Sequence, residues 1–185
     1  LSNINSVANW MWPSINESDG AELRDAVNQL TKLSHILEFS INGGKDSLSM
    51  KVRHEEEEIS APSTLTLSGY ATIHNHLNII SPHLKSGESK ILLVRLDKFR
   101  GGMLGSAYSR FYNVSNKKTQ WLNVESFPKI WKVMQGLIHQ NIILSGHDIS
   151  DGGLITTLVE MAFSSYYGLD LDIQSKFLVE EFLFS

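Results

Sequence analysis

The sequence predicts a mixed α/β protein built in two parts, and three patterns carry that expectation. Leu23, Ala26, Val27, Leu30, Leu33 and Leu37 recur at steps of three and four, the spacing of a helix with one buried stripe, across residues 20 to 38. Residues 64 to 73, from Thr64 to Ile73, alternate with period two, as a strand with one buried face does. Between residues 74 and 90 the periodicity is lost and His, Pro, Ser and Gly gather. A boundary there divides the chain into residues 1–85 and 88–185.

Taken in order, the helix of residues 20 to 38 has a marked start, because Asp19 can accept a bond from the Glu22 backbone while the Glu22 side chain reaches back, in the manner of a capping box. Glu38-Phe39-Ser40-Ile41 then reads as a short strand, and Asn42-Gly43-Gly44-Lys45-Asp46-Ser47 as a glycine turn after it. The Glu55 to Glu58 run reads as a solvated connection in which like charges repel. Past the boundary, residues 90 to 96 form a near-continuous apolar run of strand length, as in a sheet covered on both faces. Ser126 and Pro128 open a helix whose Phe127, Ile130, Trp131, Met134, Leu137 and Ile138 share a face, since Pro suits a first turn where its missing N–H is not needed. Ile142-Ile143-Leu144 is the next expected strand. A turn at residues 147 to 153 leads into a helix bearing Leu154, Leu158, Met161 and Ala162. No internal repeat is visible.

Composition narrows the function. With 42% hydrophobic and 19% charged residues, 185 residues can bury one respectable core or two small ones. A net charge of -4 and a pI near 6.0 supply no positive field for a polyphosphate backbone, which disfavours a nucleic-acid partner. The absence of Cys excludes disulfides and thiolate metal sites and favours a reducing compartment, so the cytoplasm is expected. No window approaches eighteen consecutive apolar residues, so no membrane partner is expected. A start without Met and an amphipathic end at residues 176 to 185 without a cap read as an interior fragment.

Two segments could carry chemistry. Adjacent glycines after a strand expose backbone N–H groups to an anion, and Lys45 and Ser47 add donors, so residues 42 to 47 suit a phosphate. A plain glycine turn with polar residues is the alternative. A GxxxxGK[ST] loop is excluded, because its first glycine would fall on Phe39 and Asp46 follows Lys45. The SGGKDS-like loop of ATP pyrophosphatases opens an apolar helix, whereas no helical stripe follows here. In His147-Asp148-Ile149-Ser150-Asp151-Gly152-Gly153, carboxylates between a strand and a helix can hold Mg²⁺ bridging phosphate oxygens, and Ser150 can meet the phosphate. The alternative is a helix cap made by Asp151 or Ser150, with the glycines permitting close packing. His74 and His76 lack further ligands at metal spacing. Trp10, Trp12, Trp121 and Trp131 read as core or domain-contact anchors, and residues 100 to 106 as a strand-to-helix turn or a close approach to a ligand.

In this order, the two segments resemble the large, single-chain phosphoribosylformylglycinamidine synthase family. Gly43 to Lys51 looks like its GKDSMSMK segment, His147 to Leu154 like its HDxSDGGL segment continued by Glu160-Met161-Ala162-Phe163, and Leu1-Ser2-Asn3-Ile4 like the tail of its EALTNI helix. The resemblance implies an aminoimidazole ribonucleotide synthetase-like fold, with the rear of an N-type domain followed by the front of a C-type domain. It implies ATP-dependent activation of the formyl amide oxygen of formylglycinamide ribonucleotide, as an iminophosphate, and displacement of phosphate by ammonia from glutamine. Cofactors would be ATP/ADP and Mg²⁺, and partners the small-molecule substrates and the remaining domains of the synthase. Asn3 and Asp148 match metal ligands, and Ser150 a nucleotide contact, Asp148 and Ser150 at an auxiliary nucleotide site. Gly43, Gly44 and Lys45 fall at nucleotide positions and Ser47 at a substrate position of the catalytic site. Lys45 stands where small-subunit relatives have a metal-binding Asn, so a direct phosphate contact is expected of it. No catalytic residue is assigned, and the fragment would be inactive alone because the glutaminase domain, its Cys and the first synthetase half are missing. A non-catalytic nucleotide-binding half and another synthetase of the superfamily are the rival readings; Lys45 to Met50 argues against the latter. Asp148 and Ser150 are expected to face the phosphate, with Asp151 serving the following helix.

Overall fold

The computed structural model describes residues 3–13, 17–73, 75–96, 103, 105–114, 122–173 and 178–184. They form two compact units, residues 1–74 and 75–185. His74, Trp121, most of residues 100 to 106 and part of the 176–185 stretch lie outside the described residues.

The first unit is a three-stranded sheet with one helix on it. Strand β1 (Asn5–Met11) is central, paired in parallel with β2 (Ser40–Ser47) and antiparallel with β5 (Thr64–Tyr70). Alternate residues Ser6, Ala8 and Trp10 of β1 are buried, and helix α1 (Glu17–Leu37) covers that side. The core joins Ala8, Trp10, Trp12 and Leu30, with Leu23, Ala26, Phe39 and Leu65 packed around it. The predicted stripe of α1 is thus used, although Val27 stays 42% exposed. The predicted cap is not. The helix starts at Glu17, so Asp19 sits inside the first turn, where its charge suits the helix dipole and its carbonyl accepts the Trp12 Nε1–H at 3.2 Å. The far end closes with Glu38 in the left-handed region (φ 53) and Phe39 N donating to Ser34 O at 3.2 Å.

The expected glycine turn is instead strand. β2 runs through Gly43, Gly44, Lys45 and Asp46 to Ser47, because β1 alongside supplies ladder partners that local glycine content does not forbid. One residue is accommodated as a bulge: Ser6 faces Ile41 and Val7 faces Gly43, leaving Asn42 over, whose Nδ2 donates to Asn5 Oδ1 at 2.8 Å. Gly44 is required by the approach of the two strands, since a Cβ there would fall onto the Ala8 carbonyl, while a Cβ on Gly43 would meet nothing within 4 Å among the described residues. Gly44→Ala is therefore expected to lower stability by about 2 kcal/mol and Gly43→Ala by much less, read from urea midpoints of the two variants. Equal midpoints would contradict the close approach.

The glutamate run is also more ordered than a solvated connection. Strands β3 (Lys51–His54) and β4 (Glu57–Ser60) form a hairpin with Glu55 and Glu56 at its tip, and Lys51 Nζ pairs with Glu58 Oε2 at 2.8 Å. Cross-strand pairing with a cation offsets the repulsion expected of like charges. β5 is shorter than predicted and only Leu65 on it is half-buried, because it is an edge strand beyond the reach of the single helix.

In the second unit the described residues form helices α2 (Ala107–Tyr112), α3 (Phe127–His139), α4 (Gly153–Ser165) and α5 (Val179–Phe184). Ser106 caps α2, its Oγ accepting Ser109 N–H at 3.1 Å. α3 starts where Pro128 predicts, and Phe127 stacks on Trp131 with ring centres 5.9 Å apart. The strands expected at residues 90–96 and at Ile142–Leu144 are not formed, and Ile91, Leu92, Val94, Ile142 and Leu144 are exposed rather than covered. A strand exists only as part of a ladder, and among the described residues these runs find only single backbone bonds nearby, such as Gly146 N to Ser81 O at 3.1 Å. Among the described residues no helix is long and apolar enough to cross a membrane.

Candidate functional site

Strand alternation sorts the glycine segment of the first unit onto two faces. Gly43, Lys45 and Ser47 share the face opposite α1, and the parallel register sets Lys45 beside Asn9, which the antiparallel register sets beside Thr66. Lys45 Nζ donates to Ser47 Oγ at 3.1 Å, so a cation and a hydroxyl are already paired on that exposed surface. Gly44 and Asp46 lie on the other face. Asp46 borders a shallow cleft of about 90 Å³ with Trp10, Leu23, Val27 and Leu48. Backbone N–H groups of a strand alternate in direction, so this segment offers an anion the Lys45 and Ser47 side chains rather than the cradle of a turn. Asn3 is exposed just ahead of β1.

In the second unit, the loop before α4 is tied to that helix at two points, the His147 ring and the Asp148 carbonyl. His147, only 20% exposed, has Nδ1 at 3.2 Å from Asp148 Oδ1 and Nε2 at 3.0 Å from Glu160 Oε2. Thr157 Oγ1 donates to the Asp148 carbonyl at 3.2 Å. The Asp148 side chain itself is 84% exposed, and Ser150 is exposed, its carbonyl accepting Gly153 N–H at 3.1 Å. Asp151 does not serve α4. The cap position is Gly152, in the left-handed region (φ 93), and among the described residues no side chain caps the helix. Asp151 instead reaches Arg110 at 3.4 Å, with both side chains well exposed, an arrangement that contributes little to stability. The cap alternative fails for Asp151 and Ser150 alike, but the packing role of the glycines holds: a Cβ on Gly152 would strike Thr156, and one on Gly153 would come within 2.7 Å of the Leu183 carbonyl.

The loop presents exposed carboxylate oxygens, the kind of donor a hard cation takes. Asp148 supplies carboxylate oxygen on an exposed side chain, and Mg²⁺ needs only one or two carboxylates when waters and phosphate oxygens complete its octahedron. No group of three or more His, Asp or Glu side chains among the described residues could hold a metal unaided. Sequence reasoning quoted Glu160 only as part of a motif and did not pair it with His147, nor set Asn9 and Thr66 beside Lys45; strand register hides the latter two, while Glu160 stands three residues beyond Thr157 on the predicted helix and was open to a helical-wheel search.

Comparison with known proteins assigns the two parts. Residues 1–72 match the family model described as FGAR-AT PurM_N-like domain, and residues 88–184 that of AIR synthase related protein, C-terminal domain. A probable phosphoribosylformylglycinamidine synthase of Caenorhabditis elegans is 36% identical over 94% of the chain and 14% of its own length. A probable chloroplastic/mitochondrial phosphoribosylformylglycinamidine synthase of Arabidopsis thaliana is 35% identical over 95% of the chain and 13% of its own length. The Homo sapiens phosphoribosylformylglycinamidine synthase is 34% identical over 94% of the chain and 13% of its own length. The chain thus spans about one seventh of these relatives. With residues 88–184 making up just over half of its 185 residues, the chain belongs to the AIR synthase related protein family and is similar, within it, to the phosphoribosylformylglycinamidine synthases.

Proposed function

We propose that the chain forms part of an ATP-dependent ligase that converts formylglycinamide ribonucleotide and glutamine to formylglycinamidine ribonucleotide, with ADP, phosphate and glutamate as the other products, in purine biosynthesis. The observation that carries this reading is the order of the two matched domains, at about one-third identity to synthases over nearly the whole chain. Residues 1–85 act as the rear of an N-type domain and 88–185 as the front of a C-type domain. The remaining domains of the synthase supply the other half of the site and the ammonia. The proposed compartment is the cytoplasm, which the lack of Cys suits.

Each unit has its own task in this reading. On the first, Lys45 contacts phosphate and Ser47 substrate, with Gly43 and Gly44 keeping the strand slim beside them and Asn3 available to a cation. On the second, Asp148 binds Mg²⁺ and Ser150 the nucleotide. Bound Mg²⁺ neutralises charge on the phosphates of ATP or ADP. Lys45 holds its ammonium as a compact point charge on a flexible stem, suited to following a phosphate oxygen. The test is a product assay on the full-length protein: formylglycinamidine ribonucleotide should form only when formylglycinamide ribonucleotide, ATP and glutamine are all present. ADP release that ignores the ribonucleotide would overturn the assignment.

A further inference from the structure

Gly153, Thr157 and Glu160 recur at steps of four and three on α4, so they form one stripe of that helix. That stripe grips the preceding loop. Thr157 Oγ1 is 3.2 Å from the Asp148 carbonyl, and Glu160 Oε2 is 3.0 Å from His147 Nε2. The imidazole, held on that side, puts Nδ1 at 3.2 Å from Asp148 Oδ1. Asp148 is thereby held through its main chain by Thr157 and, where each ring nitrogen carries a proton, through one carboxylate oxygen by His147, whose other N–H meets Glu160. An exposed aspartate would otherwise sample several rotamers, and selecting one has an entropic cost that must be met at the moment of binding unless neighbours have already imposed it.

We infer that Glu160 is a positioning residue which, through His147, presets the carboxylate of Asp148 for the divalent cation of a bound nucleotide. The inference rests on the reading that Asp148 meets that cation. Glu160 itself lies at the end of the second turn of α4 and touches the imidazole rather than the cation, in the way outer carboxylates orient the groups that bind metals. Its side chain is about half exposed, so the contact is not a buried staple whose loss would by itself unfold the unit.

The test is Mg²⁺ titration of ADP binding to the full-length protein by calorimetry, beside thermal unfolding without metal or nucleotide. Glu160→Ala should weaken the apparent Mg²⁺ affinity about 10-fold while leaving the unfolding midpoint nearly unchanged. Glu160→Gln keeps a carbonyl oxygen to accept from Nε2–H and should recover most of the loss. Glu160→Met, similar in length and helix propensity but without an acceptor, should behave as the Ala variant does and serves if that one fails to fold. A lowered midpoint with unchanged Mg²⁺ affinity makes Glu160 a structural tie and overturns the inference. Weakened binding in Asp148→Asn with none in Glu160→Ala overturns it alone; unchanged binding in Asp148→Asn overturns the underlying reading as well.

Discussion

Asp148→Asn in the full-length protein should reduce Mg²⁺-dependent retention of ADP by on the order of 100-fold, because it removes the carboxylate charge assigned to the hard cation while keeping nearly the same shape. Asn still accepts a hydrogen bond, so the link to His147 and the loop anchored by Thr157 survive, and circular dichroism should show little change. Asp151→Asn is the matched comparison. It removes an equally exposed charge three residues away whose partner is Arg110, so it should leave nucleotide retention within about 2-fold, in line with the small worth of exposed ion pairs. Loss of nucleotide from Asp151→Asn but not from Asp148→Asn would reverse the roles given to the two carboxylates.

The second large effect belongs to Lys45. Lys45→Ala should lower the rate of formylglycinamidine ribonucleotide formation in the full-length protein by on the order of 100-fold, the usual consequence of deleting a donor aimed at developing charge. Hydrolysis of glutamine, which the reading assigns to a separate domain, should remain measurable. Lys45 is exposed and its ammonium bonds to Ser47 Oγ, so the substitution disturbs no core and the folded fraction should not change. Unchanged turnover would remove Lys45 from the site. Ser47→Ala, which removes the hydroxyl and frees the ammonium together, tests the Lys45–Ser47 pair as a unit.

What could be read from sequence follows the range of the interaction involved. The α1 stripe and the Pro128 start of α3 were legible because helix periodicity and first-turn chemistry are local. Strand runs were legible only when a partner lay alongside: Thr64–Tyr70 pairs with β1, whereas the more apolar residues 90 to 96 have no ladder among the described residues. The glycine segment was misread for the same reason in reverse, as β1 imposes an extended form on residues whose own preference is for turns. At the candidate site, the motif pointed to Asp148, Ser150, Lys45 and Ser47 as residue types. It could not show that Asp46 turns to the opposite face from Lys45, or that Asp151 reaches α2 rather than capping α4. Those are facts of register and of packing between elements distant in sequence.

The paired indoles of the first unit have an optical consequence. Trp10 and Trp12 hold their ring centres 6.2 Å apart at an interplanar angle of 56°, close enough for their electronic transitions to mix and tilted enough for the mixture to be chiral. Trp12 is further fixed by its bond to the Asp19 carbonyl, so the pair keeps one handedness only while α1 lies on the sheet. The far-ultraviolet dichroism of this couplet is therefore a built-in gauge of the docking of α1 on β1, readable without any label.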